Sequence, residues 1–453
     1  VSPPRDDVVP FREAVKAWFA ISLQTFGGPA GQIAVMQREL VEERRWIGHR
    51  RFLHALSFCT LLPGPEAQQL AIYVGWLLNG VRGGLVAGVL FVLPGVVALL
   101  GLSILYVGFG DTTAVEALFA GLAPAVLAVV AHAVVRVGRS ALTHPALVGV
   151  AVAAFTSLTV LSVPFPVVVA AAGVVGWLFG RWLPSVMRPR AEPESDGPPP
   201  LVPDDALHAE HPGHGHTARV LVVGLLAWAV PLVAFVVLTG TGSVFTDQGL
   251  FFSGAALVTF GGAYAVLAFV AQRAVEVYGW LAPGEMVRGL ALAESTPGPL
   301  IMVVQFVAFV GAYRDPGGLD PWVAAVLGAL LTTWVTFVPC FVLVFLGAPY
   351  VERLRGNRSL SSALTGIMAA VVGVIANLAV FFALHTVFEE TTERSWGPLG
   401  LELPVLDTVR PLAVALTLLA AVLLFRARWS VLRTLGVCAA LGLAAGLLGW
   451  PVA

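Results

Sequence analysis

Lysine is almost missing from this chain: Lys16 is the only one, so arginine carries nearly all of the positive charge. Charged residues of every kind make up 12% of the 453 positions, where a soluble domain carries about a quarter. With 58% hydrophobic residues and a mean hydropathy of +0.87, that scarcity excludes an ordinary soluble fold. The net charge of -1 offers no basic surface for a nucleic acid. Cysteine is scarce too. Cys59, Cys340 and Cys438 stand in apolar stretches without CxxC spacing, which suggests neither a disulfide framework nor a zinc site. No HExxH sequence occurs, and His132 and His385 are isolated in apolar runs. An intramembrane metalloenzyme would lack its ligands, so the chain reads as a non-enzyme without metal or cofactor. Pro3 to Arg12 is charged and proline-rich, unlike the apolar core of a cleavable signal peptide.

What remains is a set of 13 apolar runs, at residues 11–45, 52–79, 84–108, 113–137, 141–160, 164–183, 219–238, 247–278, 284–313, 321–347, 359–389, 404–425 and 429–450. The expected fold class is an all-α polytopic membrane protein, with the lipid bilayer as its first partner. Within these runs the chain repeats itself. Thr25-Phe26-Gly27-Gly28 recurs as Thr259-Phe260-Gly261-Gly262, Trp46 as Trp280, and Pro63-Gly64-Pro65 as Pro297-Gly298-Pro299, each 234 residues later. The paired Gly/Pro elements interrupt the first, second, eighth and ninth runs. The limbs of the second, 52–62 and 66–79, would be only about 16–21 Å long as helices, short of a hydrocarbon core of about 30 Å. Four re-entrant hairpins are therefore expected, beside about nine full spans.

The arginines orient the chain. With the N-terminus in the cytoplasm and all four interrupted runs re-entrant, only Arg273, Arg288, Arg314, Arg394 and Arg410 fall outside, and the other 21 of 26 basic residues fall inside. Five spans then separate the two hairpin pairs. Five is odd, so the second pair enters from the opposite face and the repeat is inverted; the C-terminus is expected outside. The positions matching Arg44, Arg45, Arg50 and Arg51 are Tyr278, Gly279, Gly284 and Glu285, with no basic residue among them. The expected organisation is a repeat at 11–183, a disordered cytoplasmic linker at 184–217, an unpaired transmembrane helix at 218–239 and a second repeat at 247–450. The linker holds Pro198-Pro199-Pro200 and His208, His211, His214 and His216. Its Pro/Gly context gives those histidines no scaffold for a metal.

A helix broken inside a membrane exposes backbone N–H groups at the start of its second limb. Such groups need a ligand, water or protein neighbours, because lipid cannot pair them. A helix N-terminus also carries partial positive charge and aimed donors, which favour an anion. Four such ends near the midplane point to a small oxyanion as substrate. The residues expected to bind it are Thr25, Gly27, Gly28, Pro29, Gly64, Pro65, Gln68, Thr259, Gly261, Gly262, Thr296, Gly298, Pro299 and Gln305. Glu66 and Glu294 are the acids beside the breaks, candidates for coupling or gating. Glu66 is equally readable as a helix-start acid near Arg45 or Arg51. Arg44 and Arg45 either recruit the anion from the cytoplasm or anchor the hairpin at the headgroups.

These residues resemble the chromate ion transporter family in its two-domain form. Phe26-Gly27-Gly28-Pro29, Arg44-Arg45-Trp46 and the run from Leu61 through Pro63-Gly64-Pro65-Glu66 to Ala71 are similar to its N-terminal half, as is Gly83 to Pro94. Thr259 to Gly262 and Ala293 to Val303 match its C-terminal half. The likeness covers about 11–110 and 247–345 by motif, and the remainder by layout. Ala263 and Ala268 stand where the family often has glycine and proline. The resemblance implies export of chromate from the bacterial cytoplasm across the inner membrane, and chromate resistance. Membrane potential or proton-motive force would drive it, with protons and a second copy of the chain as open partners. Sulfate or another oxyanion is the alternative cargo, and an anion channel the alternative mechanism.

Overall fold

The computed structural model describes residues 8–110, 112–183, 186, 201–202, 214–260, 262–350, 357–396 and 399–450. Most of the expected linker, including His208 and His211, and Gly261 of the second Gly-Gly pair lie outside the described residues. The rest is helical apart from one β-hairpin and the connecting turns. The first four helices are α1 (Phe11–Ser22), α2 (Gly28–Gln37), α3 (His49–Cys59) and α4 (Glu66–Phe109). Then come α5 (Thr113–Ala141), α6 (Pro145–Thr159), α7 (Phe165–Trp182) and α8 (His214–Thr239). The series resumes with α9 (Val244–Leu257), α10 (Ala263–Gln272), α11 (Pro283–Ser295), α12 (Val303–Arg314) and α13 (Pro321–Gly347). It closes with α14 (Arg358–Val387), strands β1 (Thr391–Trp396) and β2 (Leu399–Pro404), α15 (Pro411–Ala421) and α16 (Val431–Leu447).

Local chemistry explains the first interruptions. Gly27 and Gly28 take φ of 79° and 70°, which a side chain resists, and Pro29 supplies a fixed φ in the first turn of α2. α2 runs into a π turn, Arg38–Glu43. The chain leaves that turn through Arg45 at φ 53°, which lets the Trp46 N–H donate back to the Leu40 carbonyl at 2.8 Å. α10 does the same 234 residues later: a π turn at Arg273–Val277, Gly279 at φ 63°, and Trp280 N–H to the Ala274 carbonyl at 2.8 Å. The second half uses glycine where the first strains an arginine.

α4 is long only in name. Asn79 and Gly80 leave helical geometry, Gly80 at φ 63°, and the chain folds back on itself there. Gly75 and Gly83 meet backbone to backbone, so that a Cβ on either would strike the other's carbonyl. The Asn79 side chain holds the bend by donating to the Val9 carbonyl at 2.6 Å. The limbs are thus the short 66–78 and the longer 81–109.

Among the described residues, six helices are long and apolar enough to cross a membrane: α4, α5, α7, α8, α13 and α14. In α4 only the limb after the fold-back is free to do so. About nine spans were expected. The helices at the other three expected spans are shorter: α6 has 15 residues, α15 with the π turn after it covers Pro411–Arg426, and α16 has 17 residues, about 22–26 Å. The run expected at 404–425 does not begin as helix, because strands β1 and β2 pair from Thr391↔Pro404 to Trp396↔Leu399 and helix starts only at Pro411. Thr391 and His385 bind Glu402 at 2.6 and 3.3 Å, which docks this hairpin on the end of α14.

The halves interlock through small residues. α5 crosses α16 at Gly121 and Gly442, and α7 crosses α14 at Gly176 and Gly366, each close enough to leave no room for a Cβ. α8 lies outermost, packing one side on α13 where Gly224 meets Val342, while Val222, Val237 and Leu238 stay exposed.

Candidate functional site

Four interruptions meet at one place. The first Gly-Gly break, between α1 and α2, presents the Thr25 carbonyl, which accepts from Gly298 N–H of the second Pro-Gly-Pro break at 3.0 Å. Reciprocally, the Thr259 carbonyl of the second Gly-Gly break accepts from Gly64 N–H of the first Pro-Gly-Pro break at 2.7 Å. Each donor lies 234 residues from the other donor, and each acceptor likewise. Gly64 at φ 119°, Gly262 at 101° and Gly298 at 104° hold the chain in conformations that favour glycine.

Each break is seated against a helix of the other half. A Cβ on Gly298 would lie 3.3 Å from the Gly95 Cα on α4, and one on Gly64 would lie 2.8 Å from the Cys340 Sγ on α13. Gly95 follows Pro94 and Cys340 follows Pro339, so both seats lie just after an in-helix proline. Gln32 on α2 donates its amide to the Gly298 carbonyl. Gln69 on α4 donates to the Pro63 carbonyl at 2.7 Å, closing its own break.

The helix starts converge with the breaks. Gly27 caps α2 with Pro29 in its first turn, Pro65 caps α4, Gly262 caps α10, and Pro299 leads a 3-10 turn, Leu300–Met302, into α12. Thr25, Thr259 and Thr296 are buried, and their hydroxyls turn back to local carbonyls: Ser22 at 2.8 Å, Ala255 at 2.6 Å and Ala293 at 3.0 Å. These three thus hold the breaks in shape through their side chains and, for Thr25 and Thr259, through their carbonyls. Gln68 is fully buried with neither amide atom hydrogen-bonded among the described residues. Gln305 gives its N–H to the Val96 carbonyl at 3.1 Å, and its oxygen has no hydrogen-bond partner among the described residues. Buried amide atoms without a protein partner are costly unless a ligand or water meets them.

The two acids differ. Glu294 is buried near the C-terminus of α11, where one carboxylate oxygen accepts from the Tyr264 hydroxyl and the other has no hydrogen-bond partner among the described residues. Tyr264 is also the side chain nearest to Gly28, with its hydroxyl 3.9 Å from where a Cβ would stand. Glu66 is the first residue of α4 and only half-buried. Glu66 lies within the electrostatic reach of Arg136 of α5. Arg44 and Arg45 sit past the π turn, at the end of α2 away from its break. Arg44 lies 3.5 Å from Glu39 and 5.2 Å above the Trp46 ring, so it belongs to that corner.

Sequence reasoning missed Tyr264 and Gly95. Tyr264 carried a signal, as a polar aromatic two residues after Gly262 in an apolar run. Gly95 carried none, since only the folded chain brings it to residue 298.

A family model described as "Chromate transporter" matches residues 12–177 and 246–450. A "Chromate transport protein" of Pseudomonas aeruginosa is 33% identical over 435 residues, covering 95% of this chain and 89% of that protein. A protein of the same description from Cupriavidus metallidurans is 27% identical over 84% of each chain. A "Probable chromate transport protein" of Synechococcus elongatus is 26% identical over 88% of this chain and 91% of its own. No solved structure matches.

Proposed function

The chain belongs to the chromate transporter family, and from that premise we propose that this multi-pass membrane protein carries chromate out of a bacterial cytoplasm through the place where its four breaks meet. The observation that carries the reading is the reciprocal clasp of Gly64 on Thr259 and Gly298 on Thr25. It gathers the helix starts of both halves, and their positive ends favour a tetrahedral dianion without a fixed counter-ion at every oxygen. Thr25, Gly27, Gly28, Pro29, Gly64, Pro65, Thr259, Gly262, Thr296, Gly298 and Pro299 shape the site. Gln68 and Gln305 offer it buried amides.

The halves, 11–183 and 247–450, act as inverted repeats whose broken hairpins enter from opposite faces, with the N-terminus inside and the C-terminus outside. In such an arrangement one half's hairpins form the inner wall and the other half's the outer wall, so small tilts about the shared centre expose the site to alternate sides. Glu66 and Glu294 gate it, since an ionised acid beside a break repels a dianion and a protonated one admits it. Export needs no ion gradient of its own: moving a dianion out of a negative interior releases roughly 4.6 kcal/mol per 100 mV.

Purified protein in liposomes, given an inside-negative potential and no pH gradient, is expected to release trapped chromate saturably and to slow when sulfate competes. Absence of flux at any imposed potential would sink the potential-driven version, and flux that never saturates would favour an anion channel.

A further inference from the structure

Two of the few arginines expected outside, Arg288 and Arg410, line one cavity of about 320 Å³, a volume at the lower end of the range for small-molecule sites. The cavity lies apart from the breaks, at the other end of α11. Ser295 closes that helix and leads into the second Pro-Gly-Pro break, whereas Gly284, Val287 and Arg288 of its first turns face the cavity. Arg288 and Glu294 stand about 9 Å apart along the α11 axis. Phe119 of α5, Thr386 at the end of α14 and the start of α15 form the other walls.

Folding brings donors to these walls and leaves them unspent. The Arg410 N–H donates to the Val387 carbonyl at 2.8 Å, which sets the start of α15 beside Thr386. Thr386 is only 6% exposed, yet its hydroxyl has no hydrogen-bond partner among the described residues, and neither has the buried Nε of Arg410. Arg288 holds its guanidinium 5.9 Å from the centre of the Phe119 ring, and neither arginine forms an ion pair among the described residues. No side chain caps α15, so the N–H groups of Leu412 and Ala413, behind Pro411, have no acceptor within the helix. His385 also lines the cavity, but its ring is turned to the Phe381 carbonyl at 2.9 Å and to Glu402 at 3.3 Å. The acids there, Glu116, Glu389 and Asp407, are exposed. Water and salt screen them, so they weaken the hold on an anion without cancelling buried donors.

We propose that this cavity is a second oxyanion site, on the exit side of the breaks, where Arg288, Arg410, Thr386 and the start of α15 hold a tetrahedral anion that has left them. Guanidinium forks, a hydroxyl and a helix start are the donors that such an ion takes. The exposed acids keep the hold weak, which suits a station that must let its anion go. Sulfate arriving from outside fits the same donors and thereby slows efflux. The place on the exit side rests on the proposed orientation and transport; the binding of oxyanions does not. A lipid phosphate shares this chemistry, and the test separates the two sources.

The test labels purified full-length protein carrying Ala120→Cys, a cavity position on α5, with an uncharged thiol reagent; Cys59, Cys340 and Cys438 are buried. Sulfate is expected to slow the labelling relative to chloride at equal ionic strength. Arg410→Gln in that background should raise the half-protecting sulfate concentration roughly tenfold, as loss of a charge-assisted hydrogen bond does. Arg394→Gln, which removes an exposed arginine of β1 outside the cavity, should leave it unchanged. Thr386→Val keeps the shape and should weaken protection roughly fivefold without lowering the unfolding temperature, because the hydroxyl has no protein partner to lose; it decides if Arg410→Gln does not fold. Absence of protection by sulfate, or unchanged protection in either folded variant, overturns the proposal. Protection by phosphatidylglycerol and not by sulfate assigns the donors to a lipid phosphate and overturns it as well. In liposomes, sulfate added outside should slow chromate efflux through the wild type much more than through Arg410→Gln, and equal slowing overturns the place on the exit side. A wild type that shows sulfate protection but carries no chromate defeats the transport reading separately.

Discussion

Gly95→Ala adds one methyl group at the point where α4 seats the second Pro-Gly-Pro break. A Cβ there would lie 2.7 Å from the Pro297 carbonyl oxygen, with the Gly298 Cα next at 3.5 Å. Ordinary contacts begin near 3.4 Å, so several tenths of an ångström must be found. The obstacle is backbone on both sides, Pro297 being rigid and Gly298 tied to the Thr25 carbonyl, so the break itself must shift. Overpacking of this kind costs about 1–3 kcal/mol, equivalent to roughly 5- to 150-fold in the population of the clasped arrangement. Gly101→Ala is the matched control: it lies on the same limb of α4, and a Cβ there meets nothing within 4 Å. Both changes gain about 1 kcal/mol of helix propensity, which cancels in the comparison. In liposomes, Gly95→Ala should lower chromate flux at least fivefold relative to Gly101→Ala, with a lower unfolding temperature. Equal flux and equal stability in the two variants would refute the claim that this seat sets the position of the break.

Two further outcomes follow from neighbouring geometry. Tyr264→Phe removes the donor to Glu294 and leaves a buried carboxylate without any hydrogen bond among the described residues, costing about 1–3 kcal/mol; Tyr264→Phe combined with Glu294→Gln should recover part of that loss in thermal unfolding. Arg45→Gly should raise stability by about 1 kcal/mol, because it relieves a left-handed residue where the other half already has Gly279. Its chromate affinity should not change if Arg45 serves the corner, and a tenfold loss of affinity would restore the recruiting role.

The sequence exposed the breaks because they are written in Gly and Pro, whose backbone preferences act locally. Gly64, Gly262 and Gly298 have the positive φ that makes each glycine necessary, and the echo of Trp46 in Trp280 marks a corner whose hydrogen bonds match. Two kinds of information stayed hidden. Helix ends depend on where water begins, so the run ending at 137 continues as helix to Ala141 and the strand pair at 391–404 was read as loop and helix. Contacts across the site depend on how the halves interlock. Gly95 beside Gly298, or Tyr264 on Glu294, are separations that no local pattern encodes.

The reciprocal clasp also sets an order of events during synthesis. Gly64 leaves the ribosome long before Thr259, the residue whose carbonyl receives its N–H. At about 5–20 residues per second, the first Pro-Gly-Pro break waits roughly 10–40 s in the membrane before its acceptor exists. Its N–H must be met meanwhile by water, by the insertion machinery or by another chain's break. A nascent first half is therefore open to exchange, and two separately made halves should find each other when expressed in one cell.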